Sequence, residues 1–159
     1  GIRGFSAGSA GHLGQSVLLR AGGARHPLTA DALRDRYQYL QFDFSVTHPW
    51  AVEHMVKGMR EVASRSGVEL QDIKWVVPHQ ASLNIMSEIA EQLGLPLDKF
   101  VVTYPTTGNT SAASIPVALD DANRRGVFAT GDWVFMPAAG AGLAWSAVAY
   151  RWFDWRNRS

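Results

Sequence analysis

Apolar residues recur along this chain in two rhythms, one helical and one extended. Val52, Met55, Val56, Met59 and Val62 are spaced by three and four, as on one buried face of a helix. Leu83, Met86, Ile89, Ala90 and Leu93 make a second such stripe. The stretch 37–44 instead alternates, with Leu40, Phe42 and Phe44 set against Tyr39, Gln41 and Asp43, and predicts a strand. The first helix is expected to be capped by Thr47, to hold Pro49 in its first turn and to stop at Gly67. A short strand over 74–77 follows, closed by Pro78, and then a helix over 81–93 ended by Gly94. Residues 100–103 predict another short strand and 105–108 a turn. A helix then opens near Ser111, runs to about Arg124 and stops at Gly126. Strands over 132–136 and 143–152 flank a glycine turn at 139–142. Residues 1–35 show only weak periodicity, with a loop over 21–27.

Strands that alternate with helices imply an α/β fold, with a mixed, mostly parallel sheet and covering helices. The last two strands, joined by a short turn, must be antiparallel to each other. The chain of 159 residues reads as one domain, with a lid or loop region over 1–36 and a core over 37–159.

Composition narrows the function classes. An apolar fraction of 47% supports a packed core and excludes a disordered segment. A net charge of +1 argues against a general nucleic-acid surface. The basic aromatic tail of Arg151, Trp152, Trp155, Arg156 and Arg158 reads as the end of a surface or interface strand. The chain has no cysteine, which removes disulfides, thiolate metal sites and a thiol nucleophile from it, and no histidine pair has metal-ligand spacing. No metal is expected. Residues 133–150 carry no charge, but Pro137, Gly140 and Gly142 break them, so two buried strands fit better than a membrane span. The first residues lack the apolar run of a signal peptide, and without an initiator methionine the chain is expected to begin inside a longer polypeptide. Together these features predict a soluble, cytoplasmic protein.

Three segments carry candidate chemistry. His79 follows a buried strand and precedes a helix, at the kind of strand end where α/β sheets bind ligands, and its imidazole can exchange a proton near neutral pH. A hydrogen-bonded structural histidine fits the same pattern. Gly108-Asn109-Thr110-Ser111-Ala112-Ala113-Ser114 also lies between strand and helix. Its Asn109 offers an amide donor and its backbone N–H groups point outward, although Asn, Thr and Ser are equally good ordinary caps. Ala139-Gly140-Ala141-Gly142 lets the backbone approach a ligand or simply joins two strands.

Taken together, Trp75-Val76-Val77-Pro78-His79-Gln80-Ala81, the asparagine segment about thirty residues on and Gly140-Ala141-Gly142-Leu143-Ala144-Trp145 resemble the ketoacyl synthase III signature. The related synthases of fatty-acid elongation use two histidines, whereas this chain has the histidine–asparagine pairing. The resemblance implies a thiolase fold of two similar halves. The catalytic cysteine lies on an N-terminal half, and this chain corresponds to the C-terminal one. It implies a decarboxylative Claisen condensation of acyl and malonyl-type thioesters of coenzyme A or acyl carrier protein, with no cofactor and a homodimeric whole enzyme. By position, His79 and Asn109 would donate to the thioester oxygen as it becomes an enolate. Ala141 and Gly140 would supply backbone N–H groups to an oxyanion hole, and Gln80, Ser82, Asn84 and Ser111 would contact substrate. Residues 9–36 would shape a tunnel or lid.

The departures from the family are specific. Ala141 stands where a glycine is common and would be strained at positive φ. Asn84 stands where elongation members carry a carrier-docking arginine, and Thr107 stands where a histidine is common. These point to a specialised relative. Alternative expectations are acyl transfer to oxygen or nitrogen, a non-catalytic partner subunit, or a stand-alone thioester-binding module.

Overall fold

A computed structural model describes residues 1–154. Trp155, Arg156 and Arg158 of the expected basic tail lie outside the described residues. The main sheet has the order β1-β6-β5-β4, built from β1 (Ile2–Ser9), β4 (Trp75–Val76), β5 (Trp133–Gly140) and β6 (Ala144–Arg151). β4 pairs parallel with β5, and β5 and β1 both pair antiparallel with β6. The sheet is thus mixed, as expected, but two of the three strand pairings within it are antiparallel among the described residues. The balance moves because β1 joins it.

The loop expected over the first residues is therefore in part a sheet strand. Its alternation is hidden because the inward positions need almost no side chain. A Cβ on Gly4 would sit 3.2 Å from the Val62 carbonyl oxygen, and one on Gly8 would sit 2.7 Å from the Trp145 indole nitrogen. Glycine is required at both places by close approach. Between β1 and the next elements, residues Gly11–Ser16 form a 3-10 turn. β2 (Val17–Leu19) then pairs with β3 (Leu40–Phe42) in a separate two-stranded ribbon, with α1 (Ala30–Arg34) between them. The strand expected over 37–44 is only those three residues, because Asp43 captures the next turn.

That turn opens α2 (Phe44–Ser66). Asp43, not Thr47, is the cap. Its carboxylate accepts the Ser45 N–H at 3.1 Å and the Ser45 hydroxyl at 2.6 Å. Thr47 instead lies inside the first turn and donates its hydroxyl to the Asp43 carbonyl at 2.9 Å. Pro49 consequently falls inside the helix rather than in its first turn. Gly67 ends it in the left-handed region at φ 63°, as expected.

α3 (Leu83–Leu93) is capped by Ser82, whose Oγ accepts the Ile85 N–H at 3.3 Å, and Gly94 ends it at φ 65°. Residues 100–103 form a parallel bridge at Phe100 rather than a full strand. The expected turn at 105–108 is a short helix, α4 (Tyr104–Thr107). α5 (Ser114–Arg124) starts after a 3-10 turn at Ser111–Ala113, so the helical opening is displaced from Ser111 to Ser114.

The strand alternation sorts the core. Val76, Phe135, Ala147 and Ala149 face α2 and α3, whereas Val77 and Val134 face Ala118 and Ala122 of α5. Residues 133–150 form the β5–β6 hairpin. No helix among the described residues is long and apolar enough to cross a membrane.

Candidate active site

His79 leaves the C-terminal end of β4 under tight backbone control. Its N–H donates to the Pro137 carbonyl on β5 at 2.9 Å, and its carbonyl accepts the Ala81 N–H at 3.0 Å. The next residue, Gln80, is fully buried. Its amide nitrogen donates to the carbonyls of Pro78 at 2.9 Å and Val101 at 3.0 Å. Its amide oxygen accepts the N–H groups of Thr103 at 2.9 Å and Tyr104 at 3.1 Å. With both donors and both acceptor sites used, no polar atom is left for a substrate. The expected substrate contact at Gln80 is replaced by a structural one. Gln80 clamps the strand end that carries His79 to the segment that leads to Asn109.

Asn109 follows Gly108, which adopts φ 64° as the chain leaves α4. The Asn109 Oδ1 accepts the Ser111 N–H at 2.8 Å in an Asx turn. That bond fixes the amide orientation, so the Nδ2 donors project away from the backbone. Ser111 itself sits at φ 54°, a position rare for a side-chain-bearing residue.

His79 and Asn109 line one cavity of about 460 Å³, together with Gly140 and Ala141. Its remaining wall is largely apolar and includes Phe42, Phe44, Trp50, Met55 and Leu143. A second concavity of about 390 Å³ is lined by His79, Ser111, Ser114 and Gly140. His79 therefore stands in the wall between two openings. Its Nδ1 lies 2.7 Å from the buried Ser114 hydroxyl. Burial pushes the imidazole pKa below its ordinary value, so the ring is neutral at pH 7. A neutral imidazole is one donor and one acceptor, the form needed to hydrogen-bond an oxyanion without surrendering a charge.

The other expected contacts divide. Ser82 lines the larger cavity while it caps α3. Asn84 is exposed on α3 and lines neither concavity. The strain expected at Ala141 is absent. Among the described non-glycine residues only Arg36 and Ser111 have positive φ, and in this turn the unusual angle falls on Gly142 at φ 138°. Alanine is accommodated because its neighbour takes the conformation that needs glycine. No cluster of three metal-ligating side chains occurs among the described residues. The sequence pattern did not single out Ser114 as more than part of a small-residue run, nor the wall of Phe42, Phe44 and Trp50, whose members come from β3 and α2.

The family model of the 3-oxoacyl-[acyl-carrier-protein] synthase III C terminal matches residues 63–152. A beta-ketoacyl-[acyl-carrier-protein] synthase III from Rhodopirellula baltica is 37% identical over 152 residues, 96% of this chain and 44% of that protein. One from Ruegeria pomeroyi is 47% identical over 102 residues, 64% of this chain and 32% of that protein. The crystal structure of 3-oxoacyl-(acyl carrier protein) synthase III from Pseudomonas aeruginosa superposes with a TM-score of 0.83 at 33% identity, covering 96% of this chain and 44% of the other. The chain spans less than half the length of these relatives. With the histidine and asparagine converging on one cavity in a thiolase-like fold, the chain belongs to the ketoacyl synthase III family and corresponds to its C-terminal part.

Proposed function

We propose that this chain supplies the enolate-stabilising part of a condensing acyltransferase, acting with an N-terminal half that carries the nucleophilic cysteine. The carrying observation is the convergence of the His79 imidazole and the oriented Asn109 amide on one cavity. The substrates are an acyl thioester and a malonyl-type thioester of coenzyme A or acyl carrier protein, and no cofactor is required.

The cysteine thiolate attacks the first thioester carbonyl, takes the acyl group and releases the carrier thiol. The malonyl thioester then enters, and the bond between its methylene carbon and its carboxylate breaks to release carbon dioxide. The electron pair moves onto the thioester oxygen as an enolate. N–H donors from His79 and Asn109 meet that developing charge, and donors aimed at charge that appears in the transition state contribute heavily to rate. The enolate carbon attacks the acyl-cysteine carbonyl, backbone N–H groups near Ala141 hold the tetrahedral oxyanion, and the thiolate leaves. Phe42, Phe44 and Trp50 form an apolar wall beside the site of the enolate. The complete enzyme works as a homodimer in the cytoplasm.

The test separates two half-reactions in the assembled protein. His79→Ala is expected to lower malonyl-thioester decarboxylation by roughly 10²–10³-fold, the range for one lost oxyanion donor. Acyl loading of the cysteine should persist. Equal loss of both steps, or no loss of decarboxylation, would contradict the assignment.

A further inference from the structure

The hydroxyl of Ser114 has two partners within hydrogen-bond distance. The Gln80 backbone N–H reaches its Oγ at 3.3 Å, and the His79 Nδ1 lies 2.7 Å away. The Gln80 N–H can only donate, so Oγ must accept there. The serine proton then needs an acceptor of its own. Ser114 is only 1% exposed, which leaves water little access, and Nδ1 is the acceptor at hand. Among the described residues, Oγ makes no hydrogen bond to a carbonyl oxygen.

We infer that Ser114 is a positioning residue that donates its hydroxyl proton to Nδ1 of His79 and thereby holds the proton of the neutral ring on Nε2. The opposite tautomer would make Oγ accept twice, from Nδ1–H and from the Gln80 N–H, and leave its own proton buried without a partner. That arrangement carries the penalty of an unsatisfied buried donor.

The arrangement also explains the start of α5. An α-helix that opened at Ser111 would carry Ser114 inside its first turn. The 3-10 turn at Ser111–Ala113 instead delays the α-helix until Ser114, where Oγ meets the strand end bearing His79. The Gln80 clamp holds the other side of the junction, so the serine, the histidine and the backbone N–H between them form one rigid unit. This inference rests on the proposed role of His79 for its functional meaning. The tautomer itself is independent of turnover.

Nitrogen-15 spectra of the histidine-labelled chain, without thioester or partner, test it. In the wild-type chain the expected result is a protonated Nε2 and an unprotonated Nδ1 for His79 at neutral pH. A protonated Nδ1 would overturn the inference with no variant needed. In Ser114→Ala the single tautomer is expected to be lost, with an Nδ1-protonated population appearing while the fold persists. An unchanged Nε2–H tautomer in a folded Ser114→Ala chain would also overturn it. If that variant does not fold, the wild-type assignment decides alone. Failure of condensation in the assembled protein with the Nε2–H tautomer intact would instead count against the proposed function and leave this inference standing.

Discussion

His79 couples the chemistry of the site to the stability of the chain. Burial lowers its pKa in the folded state, whereas in the unfolded chain it titrates near the ordinary value of about 6.5. Above that value both states are neutral and the residue has no pH-linked effect. As the pH falls through it, the unfolded chain binds a proton that the folded chain resists, so stability falls. Urea unfolding followed from pH 7.5 downward is expected to show this loss, and His79→Gln is expected to reduce its slope. A slope unchanged by the substitution would show that other groups carry it. Gln80 gives a prediction of the opposite kind, because it contributes no chemistry. Gln80→Leu would leave the Thr103 and Tyr104 N–H groups and two carbonyls without partners. At about 1–3 kcal/mol for each orphaned buried group, the expected loss is on the order of 4 kcal/mol. Urea unfolding would measure it, and a loss below about 1 kcal/mol would refute the clamp. Its identity as scaffold was not legible in the sequence. Saturation of four hydrogen-bonding sites involves residues up to 24 positions away, and no local pattern carries that information.

At the scale of elements, legibility followed the source of each signal. α3 was readable because its periodicity and its Gly94 stop are local, although its Ser82 cap was not singled out. The start of α2 was not, because Asp43, Thr47 and Pro49 all offer start signals and only the bonds actually formed select among them. β1 was missed because its inward residues are small for reasons that lie in α2 and Trp145. The same close packing appears from the other side at Gly58 on α2. A Cβ there would lie 3.0 Å from the Cβ of Ala147 and 3.0 Å from the Trp145 ring. Alanine in place of glycine within a helix ordinarily gains roughly 0.5–1 kcal/mol. Overpacking a filled core costs typically 1–3 kcal/mol, and both neighbours here are buried. Gly58→Ala is therefore expected to destabilise by about 1 kcal/mol on balance. A lower melting temperature would bear that out, and a higher one would show that β6 yields more easily than its packing suggests.

For the whole molecule, the histidine motif was legible because it sits at a strand-to-helix junction of the sheet, whereas the asparagine motif lies between α4 and the 3-10 turn that precedes α5 and was legible from its residues alone. Their convergence on one cavity, with Gly140 and Ala141 beside them, is a property of the β4–β5 pairing and the Gln80 clamp. The exposed Ser111, Ala112 and Ala113 lie on the same side as the second concavity, and His79 opens to both. If this chain completes the condensing site of a cysteine-bearing half, the two halves assembled together form the carbon–carbon-bonded ketoacyl product from an acyl and a malonyl thioester, and measuring that product tests the proposed function directly. Product is expected from the assembled protein, with a loss of roughly 10²–10³-fold in Asn109→Ala. An assembled protein that loads acyl groups onto cysteine and binds malonyl thioester, yet releases no carbon dioxide and forms no product, would contradict it.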